Sequence, residues 1–153
     1  MISGGKGDMT GRRYAWAILN SHGIPVYVLS VHLSLTLSAR ETNYDEIASL
    51  VAAYKYWIVL GDLNAGNGVG ESGWDAQPEY TAILNRGWHT ANGGWWGVFN
   101  TYCQSNENAP ARYLDSVLSS PNIDINSYEA PYLYSTMPGD HRPLMCDLTM
   151  YPD

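Results

Sequence analysis

Apolar positions come in short runs broken by clusters of Gly, Asn, Pro and Ser, with one stretch of a different period. Tyr14 to Leu19 and Val26 to Leu33 are β-rich apolar runs flanking Asn20-Ser21-His22-Gly23, which predicts a hairpin closed by turn-forming residues. Between Arg40 and Tyr54 the spacing changes. Ile47, Leu50, Val51 and Tyr54 recur at i, i+3, i+4 and i+7, one face of a helix, with Ser38 or Thr42 as its N-cap and acids in its first turn. Trp57 to Leu60 is a continuous apolar run leaving through Gly61-Asp62, as a strand buried on both faces would. A second, short helix is predicted over Pro78 to Asn85, with Pro near its first turn and Gly87 beyond its end. Tyr113 to Leu118, Tyr128 to Ser135 (interrupted by Pro131) and Leu144 to Met150 read as further strands. Residues 1–12 are Gly-rich and polar and read as a flexible N-terminus, while Asn64 to Gly73 and Arg86 to Asn108 read as loops.

Strands with one or two helices packed on them predict an α/β (α+β) chain, a β-sandwich-type sheet covered by helices. The 153 residues suit a single domain over 1–153 that needs no staple to hold a core. Charged positions make up only 15% of the chain and the net charge is -7, which excludes a protein that coats nucleic acid by bulk charge. The basic residues Lys6, Arg12, Arg13, Arg40, Lys55, Arg86, Arg112 and Arg142 stand singly except for the Arg12-Arg13 pair. A polyanionic partner would therefore need local basic side chains or a bound cation. No apolar run is long enough to span a membrane and the N-terminus lacks a signal-peptide core, so a soluble chain, cytoplasmic or already processed, is expected. Cys103 and Cys146 allow at most one bridge and are expected as free thiols.

Three clusters put ionisable or amide side chains at the exits of predicted strands: Val31-His32-Leu33-Ser34, Gly61-Asp62-Leu63-Asn64 and Gly139-Asp140-His141-Arg142-Pro143. Asp62 and Asn64, two apart, share a face of extended backbone. A carboxylate beside an amide oxygen suits a hard cation such as Mg²⁺, though the same pair also makes a common turn. His141 needs an orienting partner, for which Asp115 at the start of YLDSVL is the candidate. A purely structural His–Asp pair would look the same, and His32 among apolar neighbours can equally be a packed histidine.

The ordered set VLSVHLS, WIVLGDLNA, ARYLDSVLSS and GDHRPLMCDL resembles the endonuclease/exonuclease/phosphatase superfamily, the deoxyribonuclease-I-like phosphoesterases. Gly139 stands where that family usually has Ser. The resemblance implies a divalent-metal-dependent phosphodiester hydrolase, foremost a nuclease cleaving DNA, with a phosphatase- or phospholipase-like hydrolase of a small phosphoester, or an inactive binding module, as alternatives. It implies Asp62 at the reaction centre, Asn64 on a phosphate oxygen, His32 on the scissile phosphate or leaving group, and His141 paired with Asp115 as base or transition-state stabiliser. Asp62, Asn64 and Asp140 would hold Mg²⁺ (or Mn²⁺ or Ca²⁺). Arg12, Arg13, Arg112 and Arg142 are the phosphate-contact candidates. Trp88, Trp95 and Trp96 could stack on bases or cap the core.

The resemblance covers the C-terminal part of the family domain. The residues ahead of His32 contain no Glu and Asp8 as their sole acid, so the family's upstream metal-binding Glu has no counterpart. A minimal site, with Asp8 filling the gap, a homodimer completing the sandwich, and a folded remnant are the three ways this could resolve.

Overall fold

A computed structural model describes residues 2–66, 77–91, 101–102, 113–131 and 139–152. Strands β1 (Ser3–Met9), β2 (Arg12–Ser21) and β3 (Ile24–His32) lead into helix α1 (Leu37–Val51). Strand β4 (Trp57–Asp62), helix α2 (Gln77–Asn85) and strands β5 (His89–Thr90), β6 (Asp115–Ser119), β7 (Ile123–Glu129) and β8 (Met145–Met150) follow. A six-stranded mixed sheet runs in the order β1-β2-β3-β4-β6-β5, and β7 and β8 form a separate two-stranded antiparallel sheet. The β3–β4 pair is parallel, which α1 makes possible by carrying the chain back, and the other pairs of the large sheet are antiparallel.

Period-two alternation assigns each side chain of the large sheet to one of two faces. Tyr27, Leu29 and Val31 of β3, Trp57 and Val59 of β4 and Leu118 of β6 are buried in one cluster with Tyr44, Ile47 and Val51 of α1 and Tyr80 and Ile83 of α2. That is the helix-covered face. The intervening residues Val26, Val28 and Ile58 meet Ile123, Leu148 and Met150 of the small sheet on the other face. The layers are therefore helices, large sheet, small sheet.

The hairpin forms where the sequence places it, with His22 and Gly23 both at positive φ between the paired residues Ser21 and Ile24, the conformation a two-residue turn requires. Asn20 Oδ1 accepts the Gly23 N–H at 2.6 Å and closes it. Both helices form close to the expected places, but α1 starts and ends earlier than expected, leaving Tyr54 beyond its C-terminus. Its N-cap is Thr36, without a side-chain cap bond or acids in the first turn, and Ser38 and Thr42 sit inside the helix, Thr42 Oγ1 donating to the Ser38 carbonyl.

Three expectations are corrected. Residues 3–9 form edge strand β1 rather than a flexible tail, because their glycines make room for rings: a Cβ on Gly7 would strike the Tyr14 ring, and one on Gly5 would lie 3.0 Å from the Trp16 indole nitrogen. The strand expected over Tyr128 to Ser135 lies earlier, at Ile123–Glu129, where pairing with β8 outweighs the polar Asp124, Asn126 and Ser127; residues 132–135 lie outside the described residues. Strand β4 is fully buried on its helix side alone, Leu60 on the other side being 37% exposed.

Gly61 has a steric role at the site's edge. Its φ is +134°, and a Cβ there would fall on the Val31 carbonyl oxygen of the paired strand. Gly61→Ala is expected to cost about 3 kcal/mol or more of stability, as strain at a special backbone position does. Urea unfolding of the variant measures it, and a loss below about 1 kcal/mol would contradict the close β3–β4 approach.

Candidate functional site

The register that builds the sheet also aligns the polar side chains at its rim. His32 of β3 pairs with Asp62 of β4, and Asp62 pairs with Asp115 of β6. All three side chains therefore stand in one lateral row on the face opposite the helices. Leu33 and Leu63, one residue further on, are fully buried, which fixes this parity.

The two oxygens of Asp62 do different work. Oδ1 accepts the Asn64 N–H at 2.8 Å, making the turn that carries Asn64 at a left-handed φ of 49°. Oδ2 lies 3.4 Å from His32 Nε2 and 3.9 Å from His141 Nε2. The expected turn is thus present on Oδ1, and Oδ2 faces the two imidazoles. Asn64 is buried, and its Nδ2 donates to the Leu33 carbonyl at 2.9 Å, so it joins the loops leaving β3 and β4.

His141 arrives from the segment before β8. Its Nδ1 lies 2.7 Å from Asp115 Oδ2, so the ring donates to the carboxylate and turns Nε2 toward Asp62. Backbone pairing of His141 with Tyr102, a 2.7 Å bond from the Arg142 N–H to the Thr101 carbonyl, and edge contact with the Tyr102 ring at 5.1 Å hold this segment. Thr101, fully buried, accepts the Asp115 N–H through Oγ1 at 3.0 Å. Thr101 and Tyr102 have no signal in the sequence, where no hydrophobic periodicity marks them.

Burial raises the Asp115 carboxyl above its ordinary range, and the Asp62 charge adds to that, against the lowering bonds from His141 and Thr101. For His141, burial favours the neutral ring but is outweighed by the Asp115 hydrogen bond and the charges of Asp115, Asp62 and Asp140, so its pKa is raised. Ligand atoms of Asp62, Asp115 and His141 lie within 4.8 Å of one another. Two carboxylates and an imidazole are a donor set that fits a hard or borderline divalent cation, and a cation would offset the Asp62 charge that adds to the burial of Asp115.

The remaining expected residues divide. Asp140 is exposed beside His141 but stands outside that ligand group. Asp8, offered as a substitute metal ligand, pairs with Arg13 at 3.1 Å on the outer strands. Arg13 shares the face of His32, since it alternates with Tyr14, which pairs with Val31; Arg12 falls on the helix-side face. Arg142 lies at the rim next to His141, and Arg112 is outside the described residues. Trp88 packs in the core, edge-on to Trp57 at 5.1 Å, and Trp95 and Trp96 lie outside the described residues. Cys146 is a free thiol whose burial pushes it up to about 11; Cys103 is not among the described residues. No helix among the described residues is long and apolar enough to cross a membrane.

No family model matches the sequence, and no curated protein does. Solved structures match its fold. An endonuclease/exonuclease/phosphatase from Beutenbergia cavernae is 18% identical with a TM-score of 0.69, the match covering 92% of this chain and 40% of that one. A mannosyl-6-phosphatase from Bacteroides thetaiotaomicron is 17% identical, TM-score 0.65, covering 91% of this chain and 57% of that one. The human Nocturnin catalytic domain is 16% identical, TM-score 0.67, covering 97% of this chain and 59% of that one. The chain has the endonuclease/exonuclease/phosphatase fold in a shortened, α+β form. It spans between 40% and 59% of the length of these structures.

A raised His141 pKa binds a proton more tightly in the folded state than in the unfolded one. The His141–Asp115 pair therefore stabilises the metal-free protein fully below the unfolded imidazole value of about 6.5 and loses that contribution as pH rises through the folded value. In chelator, the His141 ring is expected to titrate above about 6.5 by NMR and to shift down in Asp115→Asn. A midpoint unchanged by that substitution would contradict the pairing.

Proposed function

We propose that the chain is a divalent-metal-assisted phosphoester hydrolase, with the phosphodiester of DNA as its first substrate. The observation that supports this most is the His32, Asp62, Asp115 row closed by His141 through a 2.7 Å bond. In-line attack on a phosphoester needs an oriented water, offset of developing negative charge, and a proton for the departing oxygen. Asp62 Oδ2, free of the turn that occupies Oδ1, orients the attacking water and accepts its proton. His141, its tautomer fixed by Asp115, offers Nε2 to the charge that develops on the phosphoryl group. His32, more than half exposed, reaches the ester from the solvent side and serves the leaving oxygen. Asp62, Asp115 and His141 are also the group that would hold a cation, with exposed Asp140 as an outer carboxylate, and an ion bound through Asp62 Oδ2 and His141 Nε2 would take over the water activation and charge offset that those two atoms otherwise provide. Bound there, Mg²⁺, Mn²⁺ or Ca²⁺ supplies charge neutralisation and a more acidic water. Asn64 positions the loops, and Arg13 is the phosphate contact favoured by its face.

A small phosphoester is the second reading. It is supported by the net charge of -7 and by the opposite faces of Arg12 and Arg13, which prevent them from acting as one clamp. The test is plasmid nicking together with cleavage of a bis-ester and a monoester phosphate, in Mg²⁺ or Mn²⁺ against chelator. Asp62→Ala and His141→Ala are each expected to lower the metal-dependent rate by roughly 10²–10⁴-fold. Equal rates in wild type and both variants would end the hydrolase reading, and monoester turnover without nicking would select the second substrate class.

Pairing of two copies is the remaining proposal: the small sheet already packs on part of the face it would bury, and Leu19 and Leu60, 41% and 37% exposed on that face, are apolar side chains still open to it. Sedimentation is expected to give twice the chain mass at micromolar concentration, and a monomer throughout that range would exclude the dimer.

A further inference from the structure

The rim depends on two loops, one leaving β3 after His32 and one leaving β4 after Asp62, and a single buried ion pair grips both. Arg40 of α1 is fully buried and bonds Glu79 of α2 in fork-to-fork geometry, Nε to Oε1 at 2.7 Å and Nη2 to Oε2 at 2.9 Å. The same guanidinium donates from Nη1 to the Leu35 carbonyl at 2.7 Å and reaches the Ser34 carbonyl at 3.4 Å. Glu79 Oε2 in turn accepts the Gly66 N–H at 2.5 Å. Gly66 sits at φ +77°, two residues beyond Asn64. The pair thus ties the chain after His32 to α1 and the chain after Asp62 to α2. The Asn64 bond to the Leu33 carbonyl joins the two loops to each other.

A stability role alone accounts poorly for such a pair. Taking two charges out of water offsets most of what their attraction returns, and apolar replacements of similar volume often leave stability unchanged or improved. Directionality is what an apolar pair could not supply: planar guanidinium and carboxylate groups fix carbonyl and N–H positions that shape complementarity leaves free.

We propose that Arg40 and Glu79 are positioning residues that set the placement of His32 and Asp62 through their loops. The catalytic consequence rests on the phosphoester-hydrolase reading; the loop placement does not. The decisive variant of the full chain is the double substitution Arg40→Met with Glu79→Met, which removes both charges together, and Arg40→Lys serves as a milder partner that keeps the charge but loses the fork.

Three quantities are read: the thermal midpoint, amide hydrogen exchange at Asn64 and Gly66 against Val59 of the core strand, and kcat and KM on the ester that wild type cleaves. The double variant is expected to melt roughly a few degrees lower, because the Leu35 carbonyl and the Gly66 N–H lose their partners, while Asn64 and Gly66 exchange at least about tenfold faster over and above any change at Val59. Its kcat is expected to fall on the order of 10²-fold with KM little changed, as displaced reactive groups produce; Arg40→Lys falls between. Wild-type exchange at Asn64 and Gly66 would overturn the proposal, and so would acceleration shared equally by Val59, which marks a general loss of stability. If wild type cleaves no ester while the local acceleration is present, the hydrolase reading fails and the anchoring of the loops stands.

Discussion

The close approach of β3 to β4 governs the arrangement of this molecule. Gly61 lies against the Val31 carbonyl with no space for a side chain, and this contact sits one residue before His32 and Asp62 come level. Because side chains alternate with period two, a slip of one residue in this pair would turn Asp62 toward the helices and bring Leu63 out. The apolar core and the polar rim are therefore fixed by one register. Burial of Leu29, Val31, Val59 and Leu63 on one side is what holds His32 and Asp62 on the other.

The rim combines two kinds of support. His32, Asp62 and Asp115 stand on paired strands, where the backbone ladder restrains them. His141 belongs to a short segment held by Tyr102, Thr101 and the Asp115 carboxylate. Rigid strands thus present acids, and a side-chain bond aligns the imidazole to them. Charge follows the same division: Asp62, Asp115 and exposed Asp140 gather at the rim, and the helix-side core holds the bidentate Arg40–Glu79 pair.

Much of this was legible in the sequence, for identifiable reasons. Asn20 to Gly23 announced the hairpin because positive φ at both turn positions selects such residues, and the 3.6-residue spacing through Ile47 and Val51 announced α1. The partnership of His141 with Asp115 was accessible as chemistry: an imidazole needs an acceptor, and few acids start a strand. Strand β1 was hidden because its glycines serve the Tyr14 and Trp16 rings of the neighbouring strand, a relation no local pattern contains. Strand β7 was hidden because its polar side chains are stabilised by β8 pairing. Thr101 acts through tertiary contact alone, and Asn64 carries a loop-joining bond to Leu33 that its motif does not disclose. Arg12 and Arg13 looked like a unit until strand parity separated them.

The order of the strands along the chain has a kinetic meaning. His32 and Asp62 belong to adjoining parallel strands linked by α1, whereas Asp115 joins them across a long intervening stretch and His141 comes later still. Contacts between distant parts of a chain carry the larger loop-closure cost and tend to form late. The hairpin and the helix-backed strands are therefore the cheap contacts to close, and the meeting of the acids with the imidazole is the costly one. The rim is thus the part of the molecule that draws on the most distant segments of the chain, and its closure reports that the whole sheet is in place.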